Sequence, residues 1–487
     1  MRHSLFSLER KPLETLQTQI REMLVGAMLS GQLPADSSVP STRTMAKRLG
    51  VSRNTVTIAY QLLATDGYLV ARERSGFFVA AHVRDGMARR HPVPAASSRQ
   101  AEFPPRLRLQ PGSQRNIEKP ANWHEFPYPF IYGQADAALF PITEWRDCVR
   151  QAMSRKWMED WTDDRFNADD PMLVEQIRQR ILTRRGVFAA ANEVLVTLGA
   201  QNALYLAAQL LLGPDTAIAI EDPGYPDMRN IARLLSRDVR PVGVDGEGLR
   251  VADLAGERLV YTTPSHQFPT NVTMSAARRA ALLDWAGEHD AIVLEDDYEF
   301  ETNYRSEPTP ALKSMDRDGR VIYVGSLSKS LMPGLRMGFA VAPAPLIAEM
   351  RALRRLMLRH PPGNNQRVVA TFLAQGHHDA LIGRLHRAYR PRWEALGAAL
   401  GRHLPGWART PGFGGTSYWV EGPQGLDARA LALRAAEEGV LIEPGDVCFS
   451  DPVRGRNRFR LGFSSIPLER IEPGIERLAK VANRAGR

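Results

Sequence analysis

Ser326-Leu327-Ser328-Lys329-Ser330-Leu331-Met332-Pro333-Gly334-Leu335-Arg336-Met337-Gly338-Phe339 is the stretch around which this chain is read. It follows Val321-Ile322-Tyr323-Val324-Gly325, a short β-branched apolar run expected to be a buried strand. Lys329 then stands just past a strand end, with Ser326 and Ser328 beside it and Arg336 one short loop further on. An amine in that place can condense with an aldehyde. Two hydroxyls and a guanidinium can hold a phosphate on the same ligand. A solvated Ser/Lys loop after a strand has the same composition, so the surrounding chain decides between the two.

Outward from this loop, strand-like and helical runs alternate. Glu193–Thr197, Ala217–Ile220, Leu259–Thr262, Ala291–Leu294 and Val321–Val324 read as strands; Asn202–Leu212 and Ala276–Trp285 read as helices. This alternation predicts an α/β domain with a largely parallel sheet covered by helices. Ligands on such sheets gather at the carboxyl ends of the strands, and the remaining candidates sit there. Gly199-Ala200-Gln201 is a turn opening a helix whose free N–H groups suit a phosphate. Tyr225, in Glu221-Asp222-Pro223-Gly224-Tyr225, can stack on a flat ring. Asp296, in Leu294-Glu295-Asp296-Asp297-Tyr298, can keep a pyridine nitrogen protonated, and Tyr298, two residues on, shares its side of an extended chain. A lysine, a phosphate cradle and an acidic partner for a ring nitrogen together specify pyridoxal 5′-phosphate (PLP). Arg460, in the apolar run Phe459-Arg460-Leu461-Gly462-Phe463, calls for a carboxylate partner, for which the acid group of an amino compound is the natural candidate.

The bulk composition separates a second module. The chain has 487 residues and a formal charge of +9, but residues 1–90 alone hold 13 Lys+Arg against 7 Asp+Glu, a net +6. A basic front facing a polyanion and a nearly neutral remainder follow. The two cysteines, Cys148 and Cys448, exclude a disulfide framework or a cysteine metal site, so no metal is expected. No signal peptide or bilayer-spanning run is readable, and a cytoplasmic protein without membrane contact is expected.

In the basic front, Leu16, Ile20, Leu24, Ala27 and Met28 mark one face of a helix stopped by Gly31 and Pro34. A second helix starts near Ser41 or Thr42 and ends at Gly50. A third, capped by Ser52, buries Val56, Ala59, Tyr60 and Leu63 and stops at Gly67. Tyr68-Leu69-Val70 and Phe77-Phe78-Val79 then flank Arg72–Gly76 as a hairpin. Three helices and a hairpin make a winged helix-turn-helix. Ser52, Arg53, Asn54, Thr55 and Thr57 open the recognition helix and are candidates for base edges. Ser41, Arg43, Arg72 and Arg74 are candidates for phosphates. From 81 to 125 the periodicity fades among scattered prolines, which predicts a partly extended linker before a domain spanning 126–487.

VPSTRTMAKRLGVSRNTVTIAYQLLATDGYLVARERSGFFVA resembles the GntR-type winged helix domain, with Val39 in place of the usual Leu, giving a DNA-binding domain over 1–80. The later motifs resemble fold-type I aminotransferases of class I/II, and the whole chain resembles the MocR/GabR regulators, which fuse the two. That resemblance implies PLP on Lys329 as a Schiff base, Asp296 on the ring nitrogen, Tyr298 on the phenolic oxygen and Tyr225 stacked on the ring. It places Ser326, Ser328, Arg336 and Gly199, Ala200, Gln201 at the phosphate, and the effector carboxylate on Arg460. It implies a regulator that senses an amino compound through an external aldimine, in a head-to-tail homodimer that binds operator half-sites and, if an activator, RNA polymerase. The same residues would serve a working aminotransferase carrying a DNA-binding domain; in a third reading the large domain is an inert dimerisation scaffold that binds no PLP.

Three departures narrow the expectation. Asn271 replaces the family's glycine after Pro-Thr. Asp164–Pro171 replaces its Tyr-Gly-Asp-Pro stretch, so no phosphate contact is expected there. Asp227 stands where GABA-responsive members carry an arginine, so GABA is not expected as effector. The Asp-Asp-Arg-Phe-Asn variant is similar to that of taurine and ectoine-degradation regulators.

Overall fold

In the computed structural model, which describes residues 6–8, 11, 14–83, 103–131, 133–304, 309–408 and 414–485, three hydroxyl side chains set where the first helices begin. Helices α1 (Leu16–Leu29), α2 (Thr42–Leu49) and α3 (Arg53–Thr65) follow Thr15, Ser41 and Ser52. Each of these hydroxyls accepts a hydrogen bond from the backbone N–H three residues on. Such a cap satisfies a donor the helix cannot, and losing one costs about 1 kcal/mol. Gly50, in the left-handed conformation at φ 62°, ends α2 without the Cβ clash any other residue would bring. The expected hairpin forms as β1 (Leu69–Arg72) and β2 (Gly76–Val79). Its ladder reaches the Arg72–Gly76 pair, one step nearer the tip than the apolar pattern suggests. Ile20, Leu24, Met45, Val56, Tyr60 and Leu63 form the core of this unit. The Tyr60 hydroxyl donates to Pro40 O at 2.9 Å, and its ring meets Phe77 edge-on at 5.3 Å, tying α3 to the wing.

The chain divides into two units, Met1–Leu107 and Arg108–Arg487. In the second, eight strands form one sheet: β3 (Val194–Thr197), β4 (Ile218–Asp222), β5 (Val239–Asp245), β6 (Gly248–Leu249), β7 (Leu259–Thr262), β8 (Ile292–Asp297), β9 (Val321–Ser326) and β10 (Gly338–Val341). Their order is β3-β10-β9-β8-β7-β4-β5-β6. The run β9-β8-β7-β4-β5 is parallel, while β10 is antiparallel to both its neighbours and β6 to β5. The expectation of a largely parallel sheet is met. It does not include β10, because Met337–Val341 reads as the tail of the lysine loop. Gly325 permits the return: a Cβ there would lie 2.3 Å from the Phe339 ring on the paired strand.

Helix α4 (Ala200–Leu211) packs Ala203, Leu204 and Ala207 against Leu195, Ile220 and Leu294 of the sheet. The other face packs Val260, Val293 and Val321 on Leu282, Trp285 and Ala286 of helix 276–288, and Val196, Tyr323 and Phe339 join the cluster that holds helices 363–374 and 377–403. A three-stranded sheet, β11 (Ser417–Glu421), β13 (Arg458–Gly462) and β12 (Glu443–Pro444) in that order, lies toward the carboxyl end.

Two expectations are corrected. Part of the anticipated linker, residues 84–102, lies outside the described residues. Residues 108–125, however, are no linker. Gln114 donates to Asn230 O at 3.1 Å, Asn230 donates back to Arg115 O at 3.0 Å, and the Arg115 guanidinium donates to the carbonyls of Asp446, Phe449 and Ser450. This strap follows the surface of the larger unit through hydrogen bonds, so it has no apolar period to read. The strand read at Ala291–Leu294 runs on to Asp297, so the acidic residues 295–297 form the end of β8 itself. Among the described residues, no helix is long and apolar enough to cross a membrane.

Candidate functional site

Strand alternation sorts the acidic run at the end of β8. Glu295 accepts from the backbone N–H groups of Leu312 and Lys313, at 2.8 Å each. Asp297 is buried against Arg185 at 2.7 Å and the Tyr323 hydroxyl at 2.7 Å, so it anchors the sheet. Asp296, between them, lines a cleft of about 130 Å³ with Tyr225, Tyr261, Tyr298, Ser326, Lys329 and Arg336. Ala200, Gln201 and Ser328 line the same cleft.

The cleft has a phosphate-sized end. Gly199, at φ 79°, opens α4, and a Cβ on it would lie 2.9 Å from the Arg336 guanidinium. Arg336 holds a positive φ of 50° and donates to Leu198 O at 3.2 Å, which lays its charge over the first turn of α4. The Ser328 hydroxyl bridges the N–H and carbonyl of Met337, and Ser326 Oγ accepts from Ser328 N, so the two serines also brace the lysine loop.

At the other end the electrostatics are those of a buried ring-binding site. Tyr261 donates its hydroxyl to Asp296 Oδ2 at 2.9 Å, while Asp296 Oδ1 is buried with no hydrogen-bond partner among the described residues. Burial pushes the Asp296 carboxyl up to about 7, against the Tyr261 hydrogen bond that lowers it. An unpartnered buried carboxylate oxygen is costly unless something cationic or N–H-bearing meets it. Burial brings the Lys329 amine down to about 8; Glu299 raises it, and Lys119 and Arg460 lower it further. Tyr225 donates its hydroxyl to Asp227 at 2.9 Å and meets Phe268 edge-on at 5.4 Å. Tyr298 meets Phe268 at 6.4 Å. Lys329 also lines a second, small cavity of about 30 Å³ with Gly133, Glu299, Glu301, His386 and Tyr389.

Arg460 has its carboxylate partner within the chain. It lies directly opposite Glu443 in the β12–β13 ladder, with both Nε and Nη2 2.9 Å from Glu443 Oε2 and both side chains about 4% exposed. The expectation of an effector acid on Arg460 thus meets a site already carrying an internal acid. Lys119, from the strap, lies 3.7 Å from the same Glu443. A single point above Gly133 is 2.9 Å from Lys329 Nζ and 3.5 Å from Lys119 Nζ, which keeps the two amines within 6.4 Å of each other. Lys119, Glu443 and Tyr261 carry no signal in the sequence that marks them for this site. Asp164–Pro171 makes no cleft contact: Asp169 pairs with Arg351 and Arg354, and Asp170 with Arg367. Asn271 takes the left-handed conformation at φ 59°.

In the smaller unit Arg43, Ser52, Arg53 and Asn54 are exposed at the starts of α2 and α3, with Thr55 and Thr57 half-buried beside them. Ser41 and Ser52 are engaged as caps. Thr57 donates to Arg53 O. Arg74 sits at the wing tip at φ 58°. Arg72, expected free for phosphate, is held by Asp36 at 2.7 Å and lies over the Phe78 ring.

Residues 16–79 match the bacterial regulatory proteins of the gntR family, and residues 146–478 match aminotransferase class I and II. The chain is 46% identical to "HTH-type transcriptional regulator TauR" of Rhodobacter capsulatus, over 96% of each chain. It is 32% identical to the "Probable rhizopine catabolism regulatory protein MocR" of Rhizobium meliloti, over 97% of this chain and 94% of that one. A kynurenine aminotransferase of Pyrococcus horikoshii, solved in complex with PMP, superposes with a TM-score of 0.69 at 27% identity, covering 76% of this chain and 96% of the other. The chain therefore belongs to the MocR-type transcriptional regulators, in which a GntR-family DNA-binding domain is joined to an aminotransferase class I and II domain.

Proposed function

We propose that this regulator holds PLP in the Lys329 cleft and uses it to sense an amino compound, taurine being the first candidate. The observation that carries this reading is the unpartnered Asp296 Oδ1, buried in a cleft that also holds a desolvated lysine and an arginine-capped helix start. When bound, PLP supplies an aldehyde that condenses with primary amines and a ring that accepts electron density. Lys329 would hold it covalently, Asp296 would pair with the ring nitrogen, and Tyr298 would meet the phenolic oxygen. Tyr225 would cover the ring face. Ser326, Ser328, Arg336 and the Gly199–Gln201 turn would hold the phosphate. Glu299, Glu301, Ile382 and Tyr389 line the side of Lys329 on which the body of an incoming amine would lie.

The relative named TauR points to an amino sulfonate; ectoine-derived amines are a second class to test. The relatives matched over nearly the whole length are named as regulators, which favours sensing over turnover. A homodimer, head-to-tail in the manner of this family, would present two DNA-binding domains to operator half-sites, and the effector must prefer one of its arrangements for regulation to follow. The DNA-binding domain is assigned to 1–80 and the effector domain to 108–487, which takes in the strap. The test is borohydride reduction of PLP-loaded protein followed by digestion. A pyridoxyl adduct on Lys329 is expected, and its absence from the peptide spanning Gly325–Arg336 overturns the reading. Taurine should change the visible spectrum without sustained release of a carbonyl product.

A further inference from the structure

Arg460 is buried in the middle of β13, and a guanidinium in that position needs a negative partner at all times. Glu443 provides it from the next strand. An acid-bearing ligand that reached Arg460 would leave Glu443 as a buried carboxylate without its cation, which is strongly unfavourable. The structure already holds a replacement cation. Lys119 Nζ is 3.7 Å from Glu443 Oε1, the oxygen that accepts no hydrogen bond among the described residues, and the Lys119 side chain is 27% exposed. With one acid between two bases, the trio carries a net single positive charge and has room for one more anion.

Lys119 belongs to the strap. Three residues before it, Asn116 donates to Asp227, whose other carboxylate oxygen accepts from the Tyr225 hydroxyl. Ile117, between them, packs on the Phe268 and Phe449 cluster. The strap is thus tied both to the ring-stacking candidate and to the acid-binding candidate, and it is the first segment of the larger unit after the stretch leading from the DNA-binding domain.

Building on the function proposed above, we propose that Glu443 is a resident counter-ion exchanged by the ligand. The carboxylate or sulfonate of an amino acid takes Arg460, Glu443 moves onto Lys119, and the strap tightens. Lys119 then sets the preference for acid-bearing amines over simple amines. It supplies the second cation that the residue following Tyr225 by two positions, Asp227, cannot.

The test uses the full-length PLP-loaded protein with taurine, with ethylamine (amine, no acid) and with ethanesulfonate (acid, no amine). Binding is followed by absorbance and the strap by hydrogen exchange of the 108–125 amides. Taurine, and ethanesulfonate at higher concentration, should slow exchange in the strap; ethylamine should not. Glu443→Gln should bind taurine about tenfold more tightly and Lys119→Gln about tenfold more weakly, with ethylamine unchanged in both. In neither variant should taurine slow strap exchange. Equal effects on taurine and ethylamine, or strap exchange in the wild type that ignores the acid group while amines still alter the spectrum, overturns the exchange and leaves the cofactor reading standing. Strap slowing by ethanesulfonate in a protein whose spectrum no amine perturbs supports the exchange and overturns the cofactor reading.

Discussion

Tyr261 donates its hydroxyl hydrogen to Asp296 Oδ2 at 2.9 Å, and the other oxygen of that buried carboxylate has no partner among the described residues. The hydrogen bond orients the carboxylate and favours its charged form. Its free oxygen is then the one able to meet a ring nitrogen. Charge-assisted hydrogen bonds contribute about 1.5–3 kcal/mol. Asp296→Asn, which keeps the shape and removes the charge, is expected to weaken PLP about 10- to 100-fold. Tyr261→Phe is expected to weaken it less than Asp296→Asn does, because the carboxylate survives with poorer orientation. Equilibrium titration of cofactor-free protein with PLP measures both.

The cofactor-free protein should lose stability as pH rises from about 6.5 to 8. Burial raises Asp296 to about 7 and Glu301 to about 8. A carboxyl whose folded value lies above its unfolded one binds more protons when folded, so stability falls as pH climbs through that folded value. The opposing groups titrate elsewhere. His266, lowered by burial to about 4, affects stability below this window, and Lys329, lowered to about 8, affects it above. Calorimetry at pH 6.5 and 8 should show a lower Tm at the higher pH. Asp296→Asn should narrow the difference; an unchanged difference would show that the folded protein does not penalise this charge.

The lysine loop, the DNA-binding helices and the central strands are legible because their signals are local. Ser326, Lys329 and Arg336 are neighbours in the chain, and the caps at Ser41 and Ser52 act three residues ahead. What stays hidden depends on contacts between distant segments. Tyr261 reads as filler in an apolar strand, and its partner lies 35 residues away. Glu443 gains its meaning only from the ladder that sets it across from Arg460. Lys119 sits among prolines with no period, held by hydrogen bonds that leave no pattern in side-chain polarity. Arg72 reads as free because Asp36, 36 residues earlier, reaches it only once the wing has folded.

Gly199 should be intolerant of a side chain for two independent reasons. Its φ of 79° strains an L-residue, and a Cβ would lie 2.9 Å from the Arg336 guanidinium. Gly199→Ala therefore displaces the charge that would meet the phosphate. Its expected signature is selective: PLP binds about tenfold or more weakly, while pyridoxal, which has no phosphate, is little changed. Equal losses for the two would mean that the strain had spread to the ring end of the cleft.

On DNA, the exposed residues at the start of α3 should act differently from those at the start of α2. Asn54 is exposed in the first turn of α3, where a side chain of its type can read a base edge. Asn54→Ala is expected to cost about 1–3 kcal/mol of discrimination and to relax preference at one position of each half-site. Arg43, exposed in the first turn of α2, is expected to meet phosphate. Arg43→Ala should weaken binding to all sequences alike and reduce the salt slope by about 1 for each phosphate it no longer neutralises. Arg72 separates structure from contact. Asp36→Asn, which keeps a residue tolerant of the φ of 61° at this position, frees the Arg72 guanidinium from a surface ion pair worth little by itself, so folding should change by less than about 1 kcal/mol while DNA binding tightens. Affinity titrations of operator and scrambled duplexes at two salt concentrations read all three. If Asp36→Asn weakens binding instead, Arg72 serves to brace the wing and does not contact the phosphate backbone.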